Sequence, residues 1–502
     1  MPFLKINKKR IFLVLEIFLV FFIAIYGYIR YTNYVKKYMN IENFINFVIV
    51  LIIFAVISIG IFLLKNNSIE KCFLFIYFVL GIIYMIILPF LRVHDEGAHF
   101  IRAYEISQGY LLTESTEYGV GRELPKEIAE IEYGNIKVSM KNIMDDFKME
   151  LSDKVFIPFP TSAIVAPTNY IPQAIGIKIA NLFTKKLVLI AYVGRLLNFL
   201  TTMLIFWIAI KYIPYGKKVI LLLALLPRNL HEAISLAPDG IITAVFCAFV
   251  AFVYYLRYEY SGKMKWKHYL CLYLFVVFIS LCKFVYVPLL ILLFLIPINR
   301  FNKTKYFFMV VSGIVLMCIL CFGWAYICNL YGLNFGNSVD AEKQVQYILH
   351  NPFKFIEILF RTITIRWNWY IQTMLGNWLG WLNIGMNEKI ISISGWILIY
   401  NTGKMIFKFE RRKIQLSIIL AVFISIVLIF TSLYITCTEV ENTIVRGVQG
   451  RYFMPLLAPL LFSIVPKGKY INDEGSCCDY SILLMYTINM YIIIKLLFVC
   501  YR

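Results

Sequence analysis

The residues best suited to chemistry crowd into Arg92-Val93-His94-Asp95-Glu96-Gly97-Ala98-His99-Phe100-Ile101-Arg102-Ala103-Tyr104-Glu105. In a helix that begins at Asp95, the side chains of Asp95, His99 and Arg102 recur at i, i+4 and i+7 and share one face. Asp95 also serves there as an acidic residue at the positive helix end. A carboxylate held close to water without being fully exposed can take the proton of an attacking hydroxyl, so Asp95 or Glu96 is a candidate general base. The adjacent carboxylates, joined by His94 or His99, could instead ligate a divalent cation, the single cofactor this pattern suggests. A solvated cap just beyond a hydrophobic run is the ordinary alternative, and spacing does not separate the three.

Three further groups face the same way. Ala237-Pro238-Asp239-Gly240 is a tight turn with a lone carboxylate, which turn chemistry alone can explain. Lys283 is the one charge inside the apolar block His268–Ile298, where an ammonium either snorkels to the surface or binds an anionic headgroup. Arg446-Gly447-Val448-Gln449-Gly450-Arg451-Tyr452-Phe453-Met454-Pro455 combines two guanidinium groups with two glycines. Forked guanidinium bonds and close backbone approach suit a phosphate or pyrophosphate, although interfacial arginines also contact ordinary lipid headgroups. Phe159–Gln173 reads as an extended segment leading to an interfacial helix, and Trp367, Trp369, Trp378 and Trp381 as an aromatic belt.

The elements that must position these groups are membrane helices. Of 502 residues, 61% are hydrophobic and 16% charged, against roughly 45–50% apolar and about 25% charged in a soluble domain. That excess of apolar surface has to face lipid and excludes a soluble enzyme. About thirteen runs approach the roughly 20 residues needed to cross as helix, giving an all-α integral membrane fold with large extracytoplasmic loops. They are Ile11–Ile29, Phe44–Leu64, Cys72–Leu91, Leu187–Ile210, Val219–Leu236, Gly240–Leu256, two short spans within His268–Ile298, Tyr306–Leu330, Ile390–Phe407, Ile414–Thr436, Tyr452–Val465 and Tyr480–Val499. Splitting the block at Lys283 is what puts the basic loops on one side, cytoplasmic by the positive-inside rule. Residues 1–71 then form N-terminal spans and 72–330 a core with a first large outer loop, 92–186. Residues 331–389 form a second outer loop, and 390–502 the C-terminal spans with outer loop 437–451.

The net charge of +20 is scattered between spans and forms no single basic face with base-stacking aromatics, so no nucleic-acid partner is implied. The eleven cysteines imply no disulfide framework. Lys137–Lys154 reads as a charged stretch outside any packed core. Glu16 and Lys283 are counted as nearly the only ionisable residues within or between hydrophobic blocks, a scarcity that argues against a transporter or lipid flippase.

In order along the chain, His94-Asp95-Glu96-Gly-Ala-His99-Phe-Ile-Arg102-Ala-Tyr104, Pro167-Thr-Asn-Tyr170-Ile-Pro172-Gln173-Ala-Ile-Gly176, Ser235-Leu-Ala-Pro238-Asp239, Lys283-Phe-Val-Tyr286 and Gln449-Gly450-Arg451-Tyr452-Phe453-Met-Pro455 resemble a bacterial membrane family, domain of unknown function 2142. That family usually has Pro-Asp-Glu where this chain has His94-Asp95-Glu96, a change that spares both carboxylates. It resembles in turn the C superfamily (GT-C) of membrane glycosyltransferases, and this implies a GT-C-like architecture in the bacterial cytoplasmic membrane with the active face outside. The resemblance implies a polyprenyl-phosphate-linked sugar donor, an envelope glycan or lipid-linked acceptor, Asp95 as base with Glu96 next, and cations such as Lys283 and Arg451 on the donor phosphate. His99, Arg102, Asp239, Tyr286, Arg446 and Gln449 complete the expected substrate-binding set. The rival readings are an envelope polysaccharide polymerase or ligase and a lipid-linked glycan flippase.

Overall fold

Apolar runs in lipid must satisfy their own backbone, and helices dominate accordingly. The computed structural model describes residues 68–130, 148–301, 303–331, 339–470 and 480–500. The expected spans Ile11–Ile29 and Phe44–Leu64, the pair Cys477–Cys478 and most of Lys137–Lys154 lie outside the described residues. α1 (Ile69–Ile87) leads through a turn into α2 (Glu96–Ser107). An antiparallel sheet follows, in order β1 (Glu114–Thr116), β2 (Gly119–Pro125) and β3 (Lys154–Pro158), and then α3 (Ile171–Asn181). Next come α4 (Leu187–Tyr212), α5 (Lys217–Ala224), α6 (Pro227–Ala233), α7 (Asp239–Tyr258), α8 (Trp266–Cys282), a 3-10 segment over Phe284–Leu295 and α9 (Lys303–Leu330). The C-terminal part holds α10 (Ala341–His350), α11 (Pro352–Leu375), a small hairpin of β4 (Trp378–Leu379) and β5 (Ile384–Gly385), and α12 (Glu388–Phe407). It continues with β6 (Arg412–Ile414), α13 (Leu416–Cys437), α14 (Met454–Leu461), β7 (Ile464–Pro466) and α15 (Tyr480–Cys500).

Among the described residues, seven helices are long and apolar enough to cross a membrane: α1, α4, α7, α9, α12, α13 and α15. Each coincides with an expected span. Two other expectations change form. Val219–Leu236 is broken into α5 and α6 at Pro227, which lacks an N–H and forces Leu226 to an extended ψ of 133°. Tyr452–Val465 is a 3-10 turn, an eight-residue helix α14 and then strand β7, far short of a bilayer. The sheets add to the helical expectation pieces that apolar periodicity did not signal. Cys72, fully buried in α1, is disulfide-bonded, while the other described cysteines are free.

The block His268–Ile298 is a hairpin. α8 ends at Cys282, Lys283 is extended (φ −159°, ψ 123°), and the chain returns through the 3-10 segment. Its open end is closed by Met264 N donating to Arg300 O at 2.8 Å and Lys263 Nζ to Asn299 O at 2.8 Å. Other basic loops meet at the same end. Lys217 Nζ reaches Glu70 Oε1 at 2.6 Å, β6 pairs with β7, and Tyr258 Oη donates to Pro466 O at 3.2 Å. The charges read as cytoplasmic therefore gather at one end of the bundle, with Lys283 at the far tip of its hairpin.

Residues 92–186 hold a core of their own. Phe100, Ile101, Tyr104, Leu124, Ile157, Phe159 and Tyr170 pack with Leu187, Ile190 and Leu236 at the ends of neighbouring helices. At its centre the fully buried Glu105 carboxylate accepts from Arg102, from Arg122 Nε at 2.8 Å and from Thr113 Oγ1 at 2.9 Å. α3 presents Ile171, Ile175 and Ile179 outward, and Leu182 and Phe183 just after it are exposed too, an apolar face such as an interfacial helix has.

Removing one partner of a buried ion pair leaves the other charge uncompensated and costs about 3–5 kcal/mol. Glu105→Leu is therefore expected to speed proteolysis between residues 110 and 160 in detergent-solubilised protein while the transmembrane bundle stays intact. Unchanged cleavage would show that Glu105 does not organise this region.

Candidate functional site

The site begins where α1 gives way to α2. Asp95 occupies the left-handed backbone region (φ 60°, ψ 6°) at the N-cap of α2, a conformation that Asp tolerates better than most residues. This kink sends the two adjacent carboxylates in opposite directions. Glu96 is fully buried, where Arg195 donates to it through Nε at 2.6 Å and Nη2 at 2.5 Å, and the Leu91 and Leu236 amides donate at 2.9 and 3.2 Å. Asp95 turns outward and keeps 38% of its side-chain surface accessible.

Three other elements bring cations and a second carboxylate to Asp95. Arg451, 3% exposed, comes from the 3-10 turn Gly450–Phe453 and donates through Nη2 to Asp95, with Nη1 3.6 Å from Asp239. Gly450 makes this seat possible, because a Cβ there would lie 2.2 Å from Met374 N and 2.4 Å from Tyr370 O. Asp239 opens α7, and the turn before it is held by Asn198 Nδ2 donating to Ser235 O at 2.7 Å. Lys283, at its hairpin tip, binds Asp239 Oδ1 at 3.0 Å and lies 4.9 Å from the centre of the Tyr452 ring. The tip is fastened by Asn169 Nδ2 donating to Leu281 O at 3.3 Å, and Tyr286 Oη supports Tyr452 by donating to its carbonyl at 2.8 Å. Two carboxylates and two cations from four separated elements thus form one network, at the end of the hairpin opposite the basic loops.

His94 Nδ1 lies 2.7 Å from Asp95 Oδ2, and its ring is 5.0 Å from that of Trp381, whose Nε1 donates to Leu91 O at 2.9 Å. Trp381 therefore buttresses the kink, beyond the belt role its type suggests. Burial raises the affinity of Asp95 for a proton, but the His94 hydrogen bond and the Arg451 charge outweigh it and hold the carboxyl well below the usual carboxylate range. His99 Nδ1 is 2.6 Å from Tyr170 Oη. Burial, stronger than the pull of Asp95 and Asp239, lowers His99 from 6.5 to about 4, and it raises Tyr170. At neutral pH His99 is accordingly a neutral imidazole hydrogen-bonded to the Tyr170 hydroxyl.

The remaining candidates lie elsewhere. Arg102 is fully buried against Glu105, Thr113 and the carbonyl of Leu111. It shares a helix face with Asp95, but seven residues at 1.5 Å each set it about 10 Å further along the axis. Arg446 pairs with Glu439 at 2.7 Å on the surface. Gln449 is beside Arg451 in sequence, with a buried Oε1 that has no hydrogen-bond partner. The divergence of Asp95 and Glu96 prevents the two from sharing a cation, and among the described residues no three His, Cys, Asp or Glu side chains converge as a metal site.

Several buried charges escaped the count of ionisable groups in hydrophobic blocks. Arg195, Arg228, His231 and Glu232 are all at most 2% exposed. Arg228 Nε lies 2.9 Å from Glu232 Oε1, and His231 Nε2 accepts from Gly380 N at 3.1 Å. Their signal was available as charges interrupting apolar runs, which in lipid mark partnered groups.

A polytopic helical bundle with a charged network at one end defines a membrane protein with a candidate polar site at its surface. Residues 78–460 match the family described as Predicted membrane protein (DUF2142), and the chain belongs to that family. Neither the curated proteins nor the solved structures offer a match.

A neutral histidine whose folded pKa is lowered contributes stability that is complete above its unfolded pKa and is lost as pH falls towards the folded value. The thermal midpoint of the purified protein should decline between pH 6.5 and about 4, and His99→Gln should flatten that decline. The same slope in both proteins would remove His99 as its origin.

Proposed function

We propose that this protein is a membrane glycosyltransferase that moves a sugar from a polyprenyl-phosphate donor to a cell-envelope glycan or lipid-linked acceptor on the outer face of a bacterial cytoplasmic membrane. The observation that carries the reading is the outward Asp95 carboxylate held by Arg451, with Lys283 and Asp239 joined to the same network. Arg451 Nε and Nη1 are buried without a hydrogen-bond partner, and a donor phosphate offers the oxygens they lack. The positive-inside rule assigns the basic end to the cytoplasm and this network to the outside, where a lipid-linked donor can arrive laterally.

In this reading Arg451 and Lys283 turn from their carboxylates to the donor phosphate, and Asp95 regains basicity as its cation leaves. The acceptor hydroxyl gives its proton to Asp95, its oxygen bonds to the anomeric carbon, and the bond from that carbon to the phosphate oxygen breaks. The growing charge on the departing polyprenyl phosphate is met by the two cations already in place. Asp239 holds Lys283 and Arg451 until the donor binds, and Tyr286 fixes the Tyr452 backbone beside them.

Buried charge is more abundant than the argument against transport assumed, so scarcity cannot support that argument. Pairing does. Arg195 is closed on Glu96, which leaves that pair without the exchangeable partners that a path for solutes needs. A polymerase would use the same outer face and differs in moving a whole glycan.

Asp95→Asn, which keeps the side-chain shape and removes the base, should lower sugar transfer from a synthetic polyprenyl-phosphate donor by about 10²–10⁴-fold. The corresponding envelope sugar should vanish from cells with matched protein abundance. Wild-type transfer by this variant would exclude Asp95 as the base, and a shortened polymer with unchanged sugar composition would favour polymerisation.

A further inference from the structure

The outer sheet carries a second concave surface, away from the Asp95 network. A hollow of about 420 Å³ opens over β1–β3, within the size range of small-ligand sites. Its aromatic side chains come from three places. Tyr110 precedes β1, Tyr118 lies in the β1–β2 turn and Phe156 is in β3. Tyr118 is 73% exposed and Tyr110 46%, so both rings are open to a ligand.

The presentation of these rings is built into the local structure. Thr116 and Gly119 are paired, leaving Glu117 and Tyr118 as a two-residue turn. Gly119 adopts φ 112°, and Thr116 Oγ1 accepts from Tyr118 N at 3.2 Å while donating to Gly119 O at 3.1 Å. Tyr118 sits 6.0 Å from Phe156, ring centre to ring centre. The Arg122 guanidinium covers one face of Tyr110 at 3.9 Å, and Arg122 itself is fixed by Glu105 and Glu114. The exposed rings therefore stand on a framework anchored to the buried Glu105.

The chemistry around the rings selects the ligand. Glu114, Glu117 and Glu123 line the hollow with Arg122 and Lys154. Arg122 is already bound to two carboxylates, so the surface repels polyanions and anionic lipid while offering hydrogen-bond acceptors. Flat aromatic faces beside carboxylates suit the apolar faces and hydroxyl edges of sugar rings.

We infer that the sheet is a binding site for a neutral or amino-sugar oligosaccharide, which on the glycosyltransferase reading is the acceptor glycan. Glu105, which the Arg122 side chain grips, is ten residues along α2 from Asp95, about 15 Å at 1.5 Å per residue. A short oligosaccharide can span that interval. Acceptor chains would be held on the sheet while one end reaches the Asp95 network.

The test uses the full-length protein in nanodiscs, with neutral oligosaccharides released by partial hydrolysis of the host envelope glycan as the probe and an acidic oligosaccharide fraction as comparison. Saturation-transfer NMR and thermophoresis should detect binding of the neutral fraction and weaker binding of the acidic one. Tyr118→Ala should reduce affinity about tenfold, and Tyr118→Trp should restore it. Equal binding to wild type and Tyr118→Ala, preference for the acidic fraction, or no binding to wild type would each overturn the inference. Asp95→Asn separates the two proposals. If wild type binds the glycan but, like Asp95→Asn, transfers no sugar, the transferase reading fails and the glycan site stands; if Tyr118→Ala binds normally while Asp95→Asn loses transfer, the reverse holds.

Discussion

The Glu96–Arg195 pair is the interaction on which the site depends. Both side chains are fully buried, where an unpaired charge would be strongly unfavourable. Their hydrogen-bonding groups are almost entirely consumed. Glu96 also takes the amides of Leu91 and Leu236, while Arg195 donates to the carbonyls of Leu88 and Pro89 at 2.8 and 3.0 Å. One contact thereby joins the end of α1, the start of α2, the middle of α4 and the turn ahead of α7. Asp95, next in sequence to Glu96, has its direction set by this fixed neighbour.

Charged residues in the molecule divide by how completely their partners satisfy them. Glu96 and Glu105 are surrounded by donors and act as internal fasteners for the bundle and the sheet region. The network of Asp95, Arg451, Asp239 and Lys283 is left incomplete: Asp95 is partly exposed, Lys283 is 31% exposed and Arg451 has two nitrogens without hydrogen-bond partners. Incomplete satisfaction in a buried cation is unfavourable unless something else supplies the missing acceptors. That contrast separates the candidate site from Glu96 and Glu105, while Arg228 and Glu232, with buried polar atoms that also lack hydrogen-bond partners, share its incompleteness.

The sheet region and bundle are likewise coupled through α2. Its first turn carries the Asp95 network, and its last turns carry Arg102 and Glu105, which hold the sheet through Arg122. A single helix of twelve residues therefore sets the distance between the membrane-end site and the aromatic surface on the sheet. Helical rise makes that distance nearly invariant.

By itself, the sequence determined that the chain lives in a membrane, because long apolar runs admit few alternatives in water or lipid. It also determined seven of the spans, the break at Lys283 and the family, since each is written in local composition or in short ordered motifs. Asp95, Asp239, Lys283 and Arg451 were individually legible as charges beside apolar segments. Their convergence was not, because the four residues lie on elements 44 to 356 positions apart in the chain. Tertiary structure decided that Asp95 and Glu96 diverge, that Arg102 serves the sheet, and that Val219–Leu236 breaks at Pro227. Direction at a kink depends on which buried partner captures the neighbouring side chain, and Arg195, ninety-nine residues from Glu96, makes that choice.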